Sequence, residues 1–216
     1  MNEEISELYN QGKVAQAIHK LVAAIDQHPQ QAENYLQLAT YLIEQGDPAS
    51  ATELLEKGQG QVADPQALSY DLAICYYLEG KFDQAMGLLN ALPNDDLTLY
   101  QKSLVYLKLG QTSKALAYAL TIKKVDNRVR ELLGDIWLAL GDLKQADKIL
   151  QTIPPEARSS KVNFLLGVVN LDRDREASLS YFAKAKKLDP KYYDRAKNQY
   201  GSIMQMLSKK KDTNDD

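Results

Sequence analysis

The 216 residues include one cysteine, two histidines, one tryptophan and three phenylalanines. Each shortage removes a class of chemistry. A lone Cys75 cannot close an internal disulfide, so the chain tolerates a reducing compartment, and a cytoplasmic protein is the expectation. Cys75 also falls in an apolar stretch beside Tyr76 and Tyr77, which suits a buried, inert thiol better than a nucleophile. His19 and His28 stand nine residues apart with no Cys, Asp or Glu at ligand spacing, so they read as surface histidines and no metal is expected. There is no Gly-rich phosphate loop, no Gly-x-Ser-x-Gly and no His-Glu-x-x-His. Neither a catalytic residue nor a cofactor is therefore assigned, and an enzyme is not expected. No apolar run approaches the ~18 residues that span a bilayer, and the opening Met1-Asn2-Glu3-Glu4-Ile5 is acidic where a secretory signal is basic. Neither membrane insertion nor export is expected.

What is present sits within the globular norm, at 44% hydrophobic and 25% charged residues. The net charge of -3 hides an asymmetry. Residues 1 to 108 carry 6 basic and 15 acidic side chains, a balance of -9, whereas residues 109 to 216 carry 20 and 14, a balance of +6. Such a distribution fits solvated helix faces that differ in Glu and Lys content, or copies that associate head to tail through unlike ends.

Two columns of small residues recur together. Gly12, Gly46, Gly80, Gly110 and Gly141 are spaced by 34, 34, 30 and 31 residues, and each is followed five residues later by Ala17, Ala51, Ala85, Ala115 or Ala146. A glycine between two apolar-periodic segments can take a positive φ and end the first helix. The alanine then lies on the second helix, where its small side chain lets two helices approach. Upstream, Leu38, Ala39 and Leu42, or Leu72, Ala73 and Tyr76, or Leu133, Gly134 and Trp137, fall at helical spacing. Downstream, Leu21, Leu55, Leu89 and Leu150 each follow the alanine by four. Each unit reads as helix, tight turn, helix. The two short glycine intervals lack three or four residues, close to one helical turn, so shortened second helices are expected there.

These columns resemble the tetratricopeptide repeat (TPR), through Tyr35, Leu38, Ala39, Leu42, Gly46 and Ala51, and again through Leu72, Ala73, Tyr76, Gly80, Phe82 and Ala85. Ser178, Phe182, Ala185 and Leu188-Asp189-Pro190 look like a closing second helix of that family. Lys102 and Ser103 depart from its Leu and Gly or Ala, and Arg173 stands where a Gly is usual. The resemblance implies an all-α, right-handed α-solenoid of about six helix pairs over 1–190. Residues 191–208 read as a capping helix, with Tyr192, Ala196, Tyr200, Ile203 and Leu207 on one face, and 209–216 as a disordered tail.

Members of this family bind mainly through the concave side, lined by the first helix of each pair. The family register then implies a protein-binding surface of Leu36, Thr40 and Ile43 with Glu44, Tyr70, Ile74 and Tyr77, Tyr100, Leu104 and Leu107 with Lys108, and Glu131 and Asp135 with Arg128 and Leu138. Leu36, Tyr70 and Tyr100 stand where the family's carboxylate clamp has Lys and Asn, so a clamp for a peptide C-terminus is not expected. The expected partner is an apolar or amphipathic protein segment, with a basic residue near Glu131 and Asp135. Two alternatives remain open. One is self-association through the acidic and basic halves. The other is nucleic-acid binding at Lys184, Lys186, Lys187, Lys191, Arg195, Lys197 and Lys209 to Lys211, which the mildly acidic whole chain disfavours.

Overall fold

A computed structural model describes residues 2–201. The expectations for Ile203, Leu207 and the 209–216 tail lie outside them. The backbone of the described residues is helical, and it gathers into two compact units, Met1–Leu109 and Gly110–Asp216.

Unit 1 is built from α1 (Glu3–Asn10), α2 (Val14–Gln27), α3 (Ala32–Glu44), α4 (Pro48–Gln59), α5 (Ser69–Leu78), α6 (Phe82–Ala91) and α7 (Asp96–Lys108). Each helix packs on the next in the chain, and α5 also touches α3 and α7. Unit 2 contains α8 (Thr112–Leu120), α9 (Asn127–Ala139), α10 (Leu143–Gln151), α11 (Ser160–Asn170), α12 (Arg175–Leu188) and α13 (Pro190–Gln199). Short 3-10 turns at Pro65–Leu68 and Pro155–Ala157 precede α5 and α11. α6 and α8 have 10 and 9 residues against 14 and 12 in α2 and α4, in keeping with the short glycine intervals; α10, also 9 residues, is shortened without such a signal.

The glycine column does what its chemistry requires. Gly12, Gly46, Gly80, Gly110 and Gly141 have φ between 71° and 82°, a conformation that L side chains resist. In four of these turns the amide of the residue after the glycine reaches back to a carbonyl in the last turn of the helix, as from Asp47 N–H to Leu42 O at 2.9 Å and from Lys81 N–H to Tyr76 O at 2.8 Å; the turns at Gly12 and Gly141 match them. Orphan carbonyls are thereby satisfied and the second helix starts at a fixed angle. Side chains cap the other ends: Asp47, Asp95, Asp126, Asp142, Ser159 and Asp174 each accept from a backbone N–H in the first turn that follows.

The alanine column is fully buried at all five positions, as are Leu21, Leu55, Leu89 and Leu150. Each such leucine stabilises the fold by about 1.5–3 kcal/mol. The departures from the repeat pattern also find partners. Ser103, fully buried, donates to Leu99 O at 2.8 Å, and the buried Lys102 donates to Asn94 Oδ1 at 2.7 Å, while burial lowers the pKa of its ammonium. Arg173 closes its turn without a positive φ by donating to Asn170 Oδ1 at 2.6 Å and Asp147 Oδ2 at 2.7 Å.

Candidate protein-binding surface

In unit 1 the first helices carry two distinct faces. On α5, Ser69, Leu72, Ala73, Cys75 and Tyr76 are buried, whereas Tyr70, Ile74 and Tyr77, offset around the helix, are half-buried. The same division runs through α3, where Leu36, Thr40 and Ile43 are half-buried, and through α7, where Tyr100, Leu104 and Leu107 are. Glu44 and Lys108 are exposed.

Leu36, Ile43, Tyr70 and Tyr77 lean on one core cluster that includes Leu55, Leu68, Leu72 and Leu89, so their inner edges are fixed while their outer surfaces face away. Tyr77 lies 5.9 Å from the ring of Phe82, and the Tyr70 hydroxyl donates to Leu97 O at 3.4 Å. Thr40 returns its hydroxyl to Leu36 O at 2.9 Å. Rigid apolar and aromatic area at half exposure can accept a partner's apolar side chains without first rearranging.

Unit 2 handles the corresponding positions differently. Glu131 and Asp135 sit one turn apart on α9, and both face Lys161 of α11; the Lys161–Glu131 distance is 3.3 Å, and Lys161 also pairs with Asp135. Ser159 donates to Glu131 Oε2 at 2.9 Å, and the Tyr200 hydroxyl donates to Asp135 Oδ1 at 3.2 Å. Burial alone would lower the Lys161 pKa, but Asp135 and Glu131 outweigh it and hold the ammonium above the usual lysine range. Burial first, and the Asp135 charge second, push the Tyr200 phenol well above its ordinary value.

Beside this cluster Tyr192 and Tyr193 of α13, and Tyr200 just after it, surround the buried ring of Phe164, with centroids 6.3, 5.8 and 5.5 Å away. The basic residue expected of a partner near Glu131 and Asp135 is thus supplied by the chain itself. Leu138, expected to point inward, is instead buried in the unit 2 core, and Arg128 is exposed and paired with Asp126 at 3.2 Å. Lys161 and Phe164 carry a signal that the inward register missed. They stand 33 residues after Arg128 and Glu131, the same interval that separates Gly134 from Gly167.

Cys75 is fully buried, and burial, with the Asp71 charge adding to it, pushes its thiol up to about 11. His19 and His28 are exposed. Among the described residues no helix is long and apolar enough to cross a membrane.

Repeated helix, left-handed glycine turn and helix, with a small buried residue on each second helix, define the α-helical repeat solenoids. A tetratricopeptide repeat model matches residues 8–69 and 42–105. No curated protein matches the chain in sequence. Among solved structures, the APC/C hetero-tetramer Cut9-Hcn1 gives a TM-score of 0.72 at 17% identity over 86% of this chain, which spans 39% of that one. A thermophilic TPR protein of Thermus thermophilus gives 0.65 at 19% identity, with 80% of this chain and 98% of that one covered. YrrB, a TPR protein with an unusual peptide-binding site, gives 0.52 at 19%, with 82% and 97% covered. Residues 8–105 match the tetratricopeptide repeat, and the described residues are all-helical with the fold of TPR proteins of known structure.

Proposed function

We propose that the chain is a non-enzymatic adaptor that holds an apolar or amphipathic segment of a partner protein along the half-exposed side of α3, α5 and α7. The observation that carries this reading is the presence of Tyr70, Tyr77 and Tyr100 on successive first helices, flanked by Leu36, Ile43, Ile74, Leu104 and Leu107, with Thr40 as the polar point. Tyrosine offers a large rigid contact area at small entropic cost. The peptide-binding site named for YrrB lends the reading support from within the fold. Glu131 and Asp135 are left out of this surface, since Lys161 and Tyr200 already engage them. A reducing cytoplasm suits the unpaired Cys75.

The test is selection from a displayed library of random peptides on the full chain, followed by binding of the selected peptides to a Tyr70→Glu, Tyr77→Glu, Tyr100→Glu triple variant of equal helicity. Selected peptides should carry apolar residues three or four apart, and the variant should bind them at least about tenfold more weakly. A library that yields no binder, or binders indifferent to the three substitutions, overturns the reading.

A further inference from the structure

α12 and α13 present Lys184, Lys186, Lys187, Lys191, Arg195 and Lys197 within fourteen residues, and all six are exposed. Two carboxylates lie among them. One, Asp189, is committed to capping α13, where it accepts from Tyr192 N–H at 2.9 Å. Among the described residues none of the six is in a salt bridge, whereas Lys161 and Arg173 of the same unit are. Lys184 and Lys186 lie over the rings of Tyr181 and Tyr193, at 5.5 and 6.0 Å, which holds their stems down along the surface. Leu188, 60% exposed, stands in sequence between Lys187 and Lys191. An apolar side chain flanked by one sign of charge is suited to an acidic protein surface, which supplies both the counter-charge and something to cover the leucine.

The first four helices of the chain are such a surface. From Asn2 to Gln59 there are nine carboxylates against Lys13, Lys20 and Lys57, and all nine are exposed: Glu3, Glu4 and Glu7 on α1, and Asp26, Glu33, Glu44, Asp47, Glu53 and Glu56 beyond it. Glu4 and Glu53 do meet Lys20 and Lys57, but surface pairs of this kind are weak and exchange readily. We propose that the exposed basic face of α12 and α13 docks the acidic α1–α4 surface of a second copy of this chain, head to tail. A nucleic acid would meet the same six cations but would leave the acidic surface without a role and Leu188 uncovered. The contact joins unlike surfaces, so a bound pair still offers one free acidic surface and one free basic surface, and association proceeds past two copies unless a ring closes.

Sedimentation velocity of the full chain over a range of concentrations tests this. At low salt the mean mass should rise above the 24.2 kDa of one chain, and near 1 M salt, where the screening length falls to about 3 Å, it should return to one chain. A Lys184→Glu, Lys187→Glu, Lys191→Glu variant should stay monomeric, as should a Glu3→Lys, Glu7→Lys, Glu33→Lys variant. Mixed in equal amounts the two should associate, since each reversed face then meets its opposite; a variant that had merely misfolded could not do this. A wild-type monomer at every concentration at low salt overturns the proposal. So does association that both variants retain, or a monomer whose basic face instead binds a single-stranded oligonucleotide.

Discussion

In unit 1 the outward side of α3, α5 and α7 is half-exposed and rich in tyrosine and leucine, while in unit 2 the matching positions of α9 and α11 are already engaged by the chain's own side chains. Phe164 lies against Tyr192 and Tyr193 of α13 and Tyr200 just beyond it, and Glu131 and Asp135 close on Lys161. Five of the helix pairs, drawn from both units, share the left-handed glycine turn and the buried alanine, and the α11–α12 pair replaces them with Arg173 and the buried Ser178. The pattern that builds a repeat therefore leaves its working face unspecified. Whether that face receives a partner or is filled internally depends on a few residues that the pattern leaves free.

That contrast can be broken most forcefully at Phe164. Phe164→Ala should destabilise unit 2 by about 3–5 kcal/mol, because the ring is fully buried and touches Phe182 and three tyrosines. Amide hydrogen exchange should accelerate across α11 to α13 and stay slow in α3 and α5. Equal acceleration in both units would mean that the two are not separate in energy.

Close helix approach is the next point of difference. Gly167 of α11 has no room for a methyl group, since a Cβ there would meet the Phe182 ring at 2.5 Å; α3 and α5 use Ala39 and Ala73 as their buried small residues. Gly167→Ala should destabilise by about 1–3 kcal/mol despite its better helix propensity. Ala73→Gly in unit 1 should lose about 1 kcal/mol. Urea denaturation of the two variants measures both, and a harmless Gly167→Ala would erase the distinction.

Lys161→Met should lower stability by about 1–2 kcal/mol, at the low end for a broken pair because the lysine is still 30% exposed while Asp135 is 10% exposed. A pH series sharpens the point. Lys161 is held above its ordinary range, Tyr192 is pushed up to about 12, by burial first, and Tyr200 is also raised, so the folded chain keeps these protons longer than the unfolded one. Their stabilisation is complete below about pH 10, the unfolded value for tyrosine and lysine, and falls as pH rises from there. Tyr76 in unit 1, pushed up to about 12, adds a similar loss. Tyr200→Phe should therefore reduce, without abolishing, the alkaline fall in urea midpoint, and an unchanged fall would show that unit 2 has no share in it.

The turns supply the last contrast. Gly46→Ala should cost about 1–2 kcal/mol through its positive φ alone, as the space around it is open. Arg173→Gly, in a turn with no left-handed residue, gains no such conformational advantage and loses two side-chain hydrogen bonds, a change of about 1 kcal/mol by thermal denaturation.

Much of the architecture was legible because it is written locally. A glycine, an alanine five residues later and a leucine four beyond that fix a turn, a close approach and a buried contact, and all three appear at their places in unit after unit. The half-exposed sides of α3, α5 and α7 followed from the same register. The interior of unit 2 did not, because its bonds span distances that no period links: Tyr200 reaches Asp135 across 65 residues, and Lys161 meets two acids on another helix. Leu138 was misplaced for the related reason that a shared register position does not guarantee a shared environment. Lys102 broke the apolar pattern in sequence, yet Asn94, in the loop just before its own helix, receives its ammonium.

The left-handed glycine turns have a further consequence, for how such a chain can change length. Because Asp47 after Gly46 and Lys81 after Gly80 make the same backbone bond to the helix before them, the joint is indifferent to which helix follows it. Excising residues 47–80 would set Gly46 directly before Lys81 and rebuild a joint that the chain already uses. The molecule can thus gain or lose whole modules by duplication or deletion at these glycines, and a library cut there would recombine intact turns rather than broken ones.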